Sequence, residues 1–415
     1  MPLRLPTVPL VAAALLLVAG CRIERGSAEA RPDSLGVSAR GAIYERLSTR
    51  ELEAGRYTGR WRTVARVDTA AANAAARANP ETLDDLDRAG FDTARVPLPL
   101  GGDSAGPSVL RAQVLLDRAG FSPGQIDGRW GDNTEKAVYW FQEAEGLRAT
   151  GVIDTTTYRR LEGRAGRPAQ FITTYRLTAG DVAGPFPDLP EGVYERAELD
   201  SLGYESLAEK LGELFHAAPA LLRRLNPGVN LNRLAADDPI RVPNVRHVRP
   251  DRGAVARVVV SKGGEHLHAL GADGEILYHF PTTVGASYDP SPQGDYRVAS
   301  VTFDPWWHYQ PALLADVPDD EPDARIPPGP NNAVGVVWIA LTEPHYGIHG
   351  TSAPETIGYA SSAGCVRLTN WDARFLAERV SEGLPVQFRD VDGRGATASD
   401  TTAARPDTTR PGARP

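Results

Sequence analysis

Apolar residues recur at helical spacing between positions 107 and 163 of this 415-residue chain. The spacing predicts three short helices, and glycine ends the first two runs. Asp132 and Asp154 precede the second and third runs, where a carboxylate can cap the exposed backbone amides of a helix start. We therefore predict a small all-α three-helix bundle. Its apolar positions include Val109, Leu110, Val114, Leu115, Ala119, Ala137, Val138, Phe141 and Ala144.

A second small unit is predicted at residues 175–245. A strand-like start is followed by helical segments at 206–212 and 219–225, and a short strand ends the unit at 240–243. This order predicts an α+β unit of strand, helix, helix and strand. The 25 residues from 182 to 206 interrupt it as an insertion.

The region 254–389 has a different pattern, with β-branched and aromatic residues in short runs. Asp273-Gly274 lies between two such runs and predicts a tight hairpin. One clear helix begins at Thr369 or Asn370, and a final strand covers 386–388. Many strands and one late helix predict a mainly-β sandwich or barrel. The further predicted strands are 255–260, 266–270, 276–280, 296–303 and 334–341.

The N-terminal segment has the pattern of a targeting sequence. Residues 10–18 are continuously apolar but too few to span a bilayer. They lead into Val18-Ala19-Gly20-Cys21, where small residues before a cysteine resemble the bacterial lipobox, in which the cysteine is acylated. We expect a lipoprotein signal peptide at 1–21 and a protein that is exported and lipid-anchored to a membrane on the periplasmic or cell-wall side. An ordinary cleaved signal peptide with an incidental Cys21 is the alternative.

Two further segments carry no predicted chemistry. Residues 22–106 are polar, Ala-rich or broken by glycine and proline, and we predict a largely irregular linker. Residues 393–415 consist mainly of Thr, Asp, Arg and Pro and predict a disordered tail. The chain as a whole is therefore predicted to be multidomain.

Charge and cysteine content restrict the function classes. The formal net charge of −8 gives no basic footprint, so we expect no nucleic-acid partner. The chain has two cysteines. If Cys21 is acylated, Cys365 has no intramolecular partner in a compartment that oxidises thiols. A single thiol in that compartment indicates a reactive role for Cys365; a buried, inert cysteine is the alternative.

Candidate chemistry centres on Cys365 and on His349, sixteen positions before it. A thiolate is the reactive form of cysteine, and a histidine can serve as its base. The Gly350 carbonyl is a candidate partner for the second ring nitrogen of His349. Backbone amides around Gly364 and Cys365 can face a developing oxyanion, and Arg367 can pair with a substrate carboxylate. A metal site of His345, His349 and Cys365 is an alternative without a complete ligand set.

Three stretches resemble known families. The sequence from Gly120 to Asp154, which contains DGRWGDNTEKAVYWFQ and GLRATGVID, resembles the peptidoglycan-binding type 1 domain. Residues 175–245 resemble a LysM domain, apart from the insertion, which leaves glycan binding by this unit open. The stretch GIHGTSAPETIGYASSAGCVRLTNWDA resembles the catalytic domain of L,D-transpeptidases of the YkuD type, which carry HGT followed by SxGCxRxxxxD. We place these domains at 107–163, 175–245 and 254–389.

The last resemblance implies roles for individual residues. Cys365 would be the nucleophile and His349 the general base, with Gly364, Gly350 and Ala363 supplying oxyanion or orienting backbone. Substrate binding is expected at Arg367, Tyr346 and Ser362. Many family members have histidine where this chain has Ala363, so one side chain near the nucleophile is missing.

The implied reaction is cysteine acyl transfer on peptidoglycan. The thiolate attacks a tetrapeptide stem, and an amine acceptor then completes a 3-3 cross-link; water or a protein lysine are alternative acceptors. The expected partners are peptidoglycan stems and glycan, and the membrane through the N-terminal lipid. No metal or organic cofactor is expected. The alternative is a non-catalytic, lipid-anchored tether that binds peptidoglycan.

Overall fold

The computed structural model describes residues 69–389 except 89, 92–94, 246–248, 286–290, 314–319 and 363. The predicted signal peptide with Cys21, most of the predicted linker, the C-terminal tail and Ala363 lie outside the described residues.

Helix α1 (Thr69–Ala78) lies within the predicted linker. The helical unit that follows has the three helices that its apolar pattern predicts, α2 (Pro107–Ala119), α3 (Asp132–Ala144) and α4 (Thr155–Arg164). Their apolar faces enclose a core that contains Phe121, Trp130, Trp140 and Phe141.

The two predicted helix caps in this unit have different outcomes. Asp154 caps α4 and accepts a hydrogen bond from the Thr157 amide at 2.7 Å. The predicted cap at Asp132 is wrong. Gly131 occupies the cap position without a side-chain bond, because α3 begins at Asp132 itself and buries that residue.

The end of the predicted linker is packed against the domains. A 3₁₀ turn covers Leu83–Asp87, and Leu86 and Phe91 are buried in the core of the following α+β unit. Leu100 exchanges two backbone hydrogen bonds of 2.9 Å with Ile153 of the helical unit. Because these apolar residues lose their contact with water, this part of the linker belongs to the folded structure.

The α+β unit has two helices between paired strands. Strand β1 (Ile172–Arg176) pairs antiparallel with β2 (Pro239–Pro243), and α7 (Leu207–Leu214) and α8 (Pro219–Leu225) lie between them in sequence. The two short helices α5 (Ala179–Val182) and α6 (Val193–Ala197) precede α7. Helix α6 lies within the insertion noted in the sequence.

The third unit is a strongly curled mixed sheet. Its eight strands are β3 (Arg257–Ser261), β4 (His266–Leu270), β5 (Ile276–Pro281), β6 (Gly294–Phe303), β9 (Val337–Leu341), β10 (Gly347–His349), β11 (Val366–Arg367) and β12 (Pro385–Arg389). Their order across the sheet is β11-β10-β9-β6-β12-β3-β4-β5, and α9 (Asn370–Ala377) packs against it. The final strand, predicted at 386–388, lies inside the sheet, between β6 and β3.

Two features of this sheet position the site. Beyond β5, the backbone of Thr283 exchanges hydrogen bonds of 2.9 and 3.1 Å with Arg367 of β11, which joins the two edges of the curled sheet. A separate hairpin, β7 (Trp307–Tyr309) with β8 (Ala324–Ile326), adds a second layer. Strand β9 begins three residues later than predicted, because Gly335 turns the chain with φ +62°.

Candidate active site

Neighbouring strands bring the two sequence motifs together. Strands β10 and β11 are parallel, with Ile348 opposite Val366 and His349 opposite Arg367. The other edge of β10 pairs antiparallel with β9, so that His349 lies opposite Trp338. Residues eighteen positions apart in sequence therefore become neighbours across one pair of strands, and Cys365 directly precedes the second strand.

The imidazole of His349 is held in a defined orientation. Its Nδ1 lies 2.7 Å from the carbonyl oxygen of Gly350, and its ring stacks on Trp338 with 5.3 Å between centroids. Since a carbonyl can only accept, Nδ1 carries the proton and donates, and Nε2 keeps its lone pair. Nε2 is buried and has no hydrogen-bond partner within the described part of the chain.

Burial keeps this imidazole neutral. His349 is fully buried, and desolvation of the charged form lowers its pKa to about 3. The nearby Arg367 guanidinium lowers the pKa further, while the hydrogen bond to Gly350 acts in the opposite direction. A neutral imidazole at pH 7 is able to accept a proton.

Cys365 lies at the entry of β11 in a tight turn. Its Sγ is 3.7 Å from the carbonyl oxygen of His345. Gly364 has φ +98°, and a Cβ there would approach Cε1 of Tyr346 to 2.7 Å, so glycine is required by both conformation and space.

Ser362 and Arg367 frame the cysteine on its two sides. Ser362 Oγ donates to the carbonyl of Cys365 at 2.5 Å, and its amide donates to Val284 at 2.8 Å. Arg367 is 1% exposed, and its Nη2 donates to the Ser361 carbonyl at 3.2 Å. Ser362 thus braces the turn, and Arg367 is a buried cation beside His349 rather than a surface charge.

Sequence reasoning missed Asn370 as part of this site. Its Oδ1 accepts hydrogen bonds from the amides of Thr351 at 3.1 Å and Val336 at 3.2 Å. A Cβ on Gly350 would lie 2.2 Å from the same oxygen, so the contact leaves no space. The sequence marks Asn370 only as a possible helix start, and its spacing from His349 offers no signal because the contact is tertiary.

The insertion in the α+β unit also reaches the site. Leu189 and Leu202 belong to one buried apolar cluster with Trp307, Trp338 and Cys365. The backbone amide of Leu202 donates to Pro328 at 2.8 Å, and its carbonyl accepts from Asn331 at 3.0 Å. The insertion therefore packs on the layer that surrounds the cysteine.

The structure offers no support for a metal site of the kind weighed from the sequence. Among the residues it describes, no group of three or more His, Cys, Asp or Glu side chains is arranged to hold a metal ion.

Comparisons with known proteins agree with the fold and the motifs. Residues 256–388 match the model of the YkuD family, "L,D-transpeptidase catalytic domain". Residues 105–161 match the model named "Putative peptidoglycan binding domain". The chain thus combines a region that matches an L,D-transpeptidase catalytic domain with a region that matches a peptidoglycan-binding domain.

Individual relatives carry the same name. The chain is 29% identical over 180 residues to "Putative L,D-transpeptidase YkuD" of Bacillus licheniformis. The aligned region covers 43% of this chain and 92% of that protein. It is 43% identical over 77 residues to "Probable L,D-transpeptidase YbiS" of Escherichia coli, covering 19% and 25% of the two chains. A crystal structure of an L,D-transpeptidase from Xylanimonas cellulosilytica aligns with a TM-score of 0.31 and 18% identity, over 71% of this chain and all of that one.

Proposed function

We propose that Cys365 is the nucleophile and His349 the general base of an acyl transfer on peptidoglycan. One observation carries this proposal: Nδ1 of His349 is fixed by the Gly350 carbonyl, which leaves a buried, neutral Nε2 as proton acceptor. Nucleophilic catalysis by cysteine needs such an oriented base next to the thiol. The parallel pairing of β10 and β11 supports this role, because it sets the His349 strand beside the strand that follows Cys365.

The reaction has two steps. The Cys365 thiolate attacks the carbonyl of the third residue of a tetrapeptide stem, a thioester forms, and the amide bond to the terminal D-Ala breaks. The proton taken up by His349 passes to the leaving amine. An amine of a neighbouring stem then attacks the thioester and gives a proton to His349; the thioester C–S bond breaks, which restores the thiolate and forms a 3-3 cross-link. With water as the acceptor, the same thioester gives carboxypeptidase activity.

The surrounding residues have supporting roles in this proposal. Backbone amides at Gly364 and Cys365 stabilise the oxyanion, and the same role needs only backbone from Ala363. Arg367 holds negative charge of the substrate, and Tyr346 and Ser362 shape the donor site. Tyr346 is partly buried against Gly364, and Ser362 is bonded to the Cys365 carbonyl.

The proposed reaction is tested by incubating the purified, reduced protein with disaccharide-tetrapeptide and analysing the products by mass spectrometry. We expect a cross-linked dimer and released D-Ala from the wild type, both lost in Cys365→Ala. Cys21→Ser is the matched control, because it removes the other cysteine of the chain and should retain activity. Absence of both products from the wild type on several stems would refute the proposal.

A non-catalytic tether is the second candidate, favoured by Ala363 in place of the histidine common in this motif. In that case both the wild type and Cys365→Ala would bind isolated cell wall equally, and neither would change the stems.

We also propose that the protein is exported and anchored by a lipid on Cys21. The apolar run 10–18 followed by Val18-Ala19-Gly20-Cys21 supports this. Within residues 69–389 as described, no helix is long and apolar enough to cross a membrane. Labelling with palmitate in a bacterial host should mark the wild type, and label retained by Cys21→Ser would contradict the proposal.

A further inference from the structure

A buried arginine joins helix α2 of the peptidoglycan-binding domain to helix α9 of the catalytic domain. Arg249 lies in the segment between β2 and β3, and its side chain is 5% exposed. Its Nη2 and Nε contact the two carboxylate oxygens of Asp117 in α2 at 2.6 and 3.2 Å. Its Nη1 contacts Asp372 in the first turn of α9 at 2.6 Å. One side chain thus bridges two domains through charge-assisted hydrogen bonds.

The groups around this bridge complete a buried network. Nδ1 of His216 lies 2.9 Å from Asp117, and its ring stacks on Trp371 with centroids 5.1 Å apart. Ser122 Oγ donates to the second oxygen of Asp372 at 2.7 Å.

The network keeps its carboxylate ionised. Burial alone raises the pKa of Asp117, but Arg249 and His216 outweigh this effect and hold the pKa below its usual value. Removing Arg249 therefore leaves buried carboxylates without their counter-ion, which is costly.

The bridge ends at the turn that supports His349. Asp372 and Asn370 lie in the same first turn of α9, and the amide of Asp372 donates to the cap residue Thr369. Oδ1 of Asn370 holds the amides of Thr351 and Val336, and it touches Gly350, whose carbonyl orients His349. A displacement of this turn would therefore move the acceptor that fixes the imidazole.

The α+β unit holds the same turn from another side. Nδ2 of Asn370 donates to Glu213 of α7 at 2.8 Å and to the Pro330 carbonyl at 3.2 Å. Two domains outside the catalytic sheet thus contact the first turn of α9.

We propose that Arg249 and Asp372 are positioning residues, through which the docked peptidoglycan-binding domain sets the orientation of His349. The inference rests on the proposed role of His349 as the base. The docked peptidoglycan-binding domain then raises the turnover rate because it keeps the His349 imidazole correctly oriented. Small misplacement of a catalytic group can cost about 100-fold in rate.

Full-length Arg249→Gln tests the proposal with two readouts. Hydrogen exchange of the Thr351 and Val336 amides should accelerate at least about 10-fold, while the sheet amides of β3 and β4 keep their rates. In the cross-linking assay, kcat should fall about 10-fold to 100-fold with KM nearly unchanged. Arg224→Gln is the matched control, since Arg224 bridges the α+β unit to Asp84 at 3.0 Å, away from α9.

The exchange measurement needs no turnover, so it separates this inference from the proposed reaction. Faster exchange confined to Thr351 and Val336 supports positioning even if the wild type makes no dimer. Unchanged exchange at both amides in a folded Arg249→Gln protein would overturn it, as would uniform acceleration across the sheet. If Arg249→Gln does not fold, Asp117→Asn is used instead, because it keeps the side-chain volume. Faster exchange confined to the Thr351 and Val336 amides would again support the proposal, and unchanged or uniformly faster exchange would overturn it.

Discussion

Three buried histidines line the interface between helix α3 of the helical unit and the hairpin β4–β5, and they predict an acid-sensitive fold. The ring of Trp140 packs against His266 and His268, with centroids 4.7 and 4.6 Å apart. Nε2 of His268 lies 3.1 Å from Nδ1 of His279. Lys136 is also fully buried at this interface and contacts the Glu265 carbonyl at 3.3 Å.

The magnitude follows from His266. Burial, chiefly, lowers its pKa from 6.5 to about 3; Lys136 adds to this and the Gly264 carbonyl opposes it. The folded state keeps the ring neutral while the unfolded chain takes up a proton below pH 6.5. Stability is therefore complete above pH 6.5 and falls as the pH decreases toward about 3. Between pH 7 and pH 5 this one group costs about 2 kcal/mol.

We expect His266→Asn to reduce the acid sensitivity by that amount. The asparagine amide can replace Nδ1 as the donor to Gly264, which lies 3.1 Å away, but it does not titrate. Urea unfolding followed by tryptophan fluorescence at pH 7 and pH 5 gives the loss of unfolding free energy for each protein. The variant should lose about 2 kcal/mol less than the wild type, whatever its stability at pH 7.

The control is His345→Asn, because His345 is exposed and has φ +70°, a conformation that asparagine tolerates. It should lose as much stability as the wild type between the two pH values. An equal loss in His266→Asn and the wild type would refute the argument that burial keeps His266 neutral.

Two further predictions concern a glycine and a helix cap. Gly364→Ala meets Tyr346 at 2.7 Å and should lower cross-linking at least about 10-fold, whereas Gly383→Ala, with φ +85° and open space, should cost about 1 kcal/mol of stability and leave activity intact. Equal activity of the two variants would contradict the packing argument. Asp154→Ala removes the acceptor for the Thr157 amide and should lower the unfolding free energy by about 1 kcal/mol, measured by thermal unfolding. Asp154→Asn should retain most of this stability, because the asparagine side-chain oxygen can still accept the bond. Equal losses in the two variants would exclude a stabilising cap.

Helix and strand positions were predictable where local periodicity and turn chemistry agree. The three-helix bundle follows its apolar spacing, and Asp273-Gly274 lies between the antiparallel strands β4 and β5. The predictions failed where tertiary contacts took over. Strand β9 starts late because Gly335 packs on Gly350 and Asn370. Leu86, Phe91 and Leu100 of the predicted linker are buried because other domains cover their apolar side chains.

The candidate site divides in the same way. Cys365, His349, Gly364 and Arg367 are identifiable by residue type and motif, because the thiol chemistry restricts which residues can serve. The hydrogen bond from the Thr351 amide to Asn370 and the stacking of the His349 ring on Trp338 cannot be identified from the sequence, because both depend on strand pairing and helix packing.

The amino-acid sequence alone determined the domain types, the mainly-β class of the C-terminal unit and the choice of Cys365 and His349 as candidate catalytic residues. These properties come from local patterns and from residue chemistry, which neighbouring residues in the chain already specify. The tertiary structure decided the tautomer of His349, the burial of Arg367 and the bridge from Asp117 through Arg249 to Asp372. The bridge joins residues more than 120 positions apart in sequence, and only the packed domains bring its charges within contact distance. The orientation of His349 and the burial of Arg367 depend on the strands and the helix that pack around them.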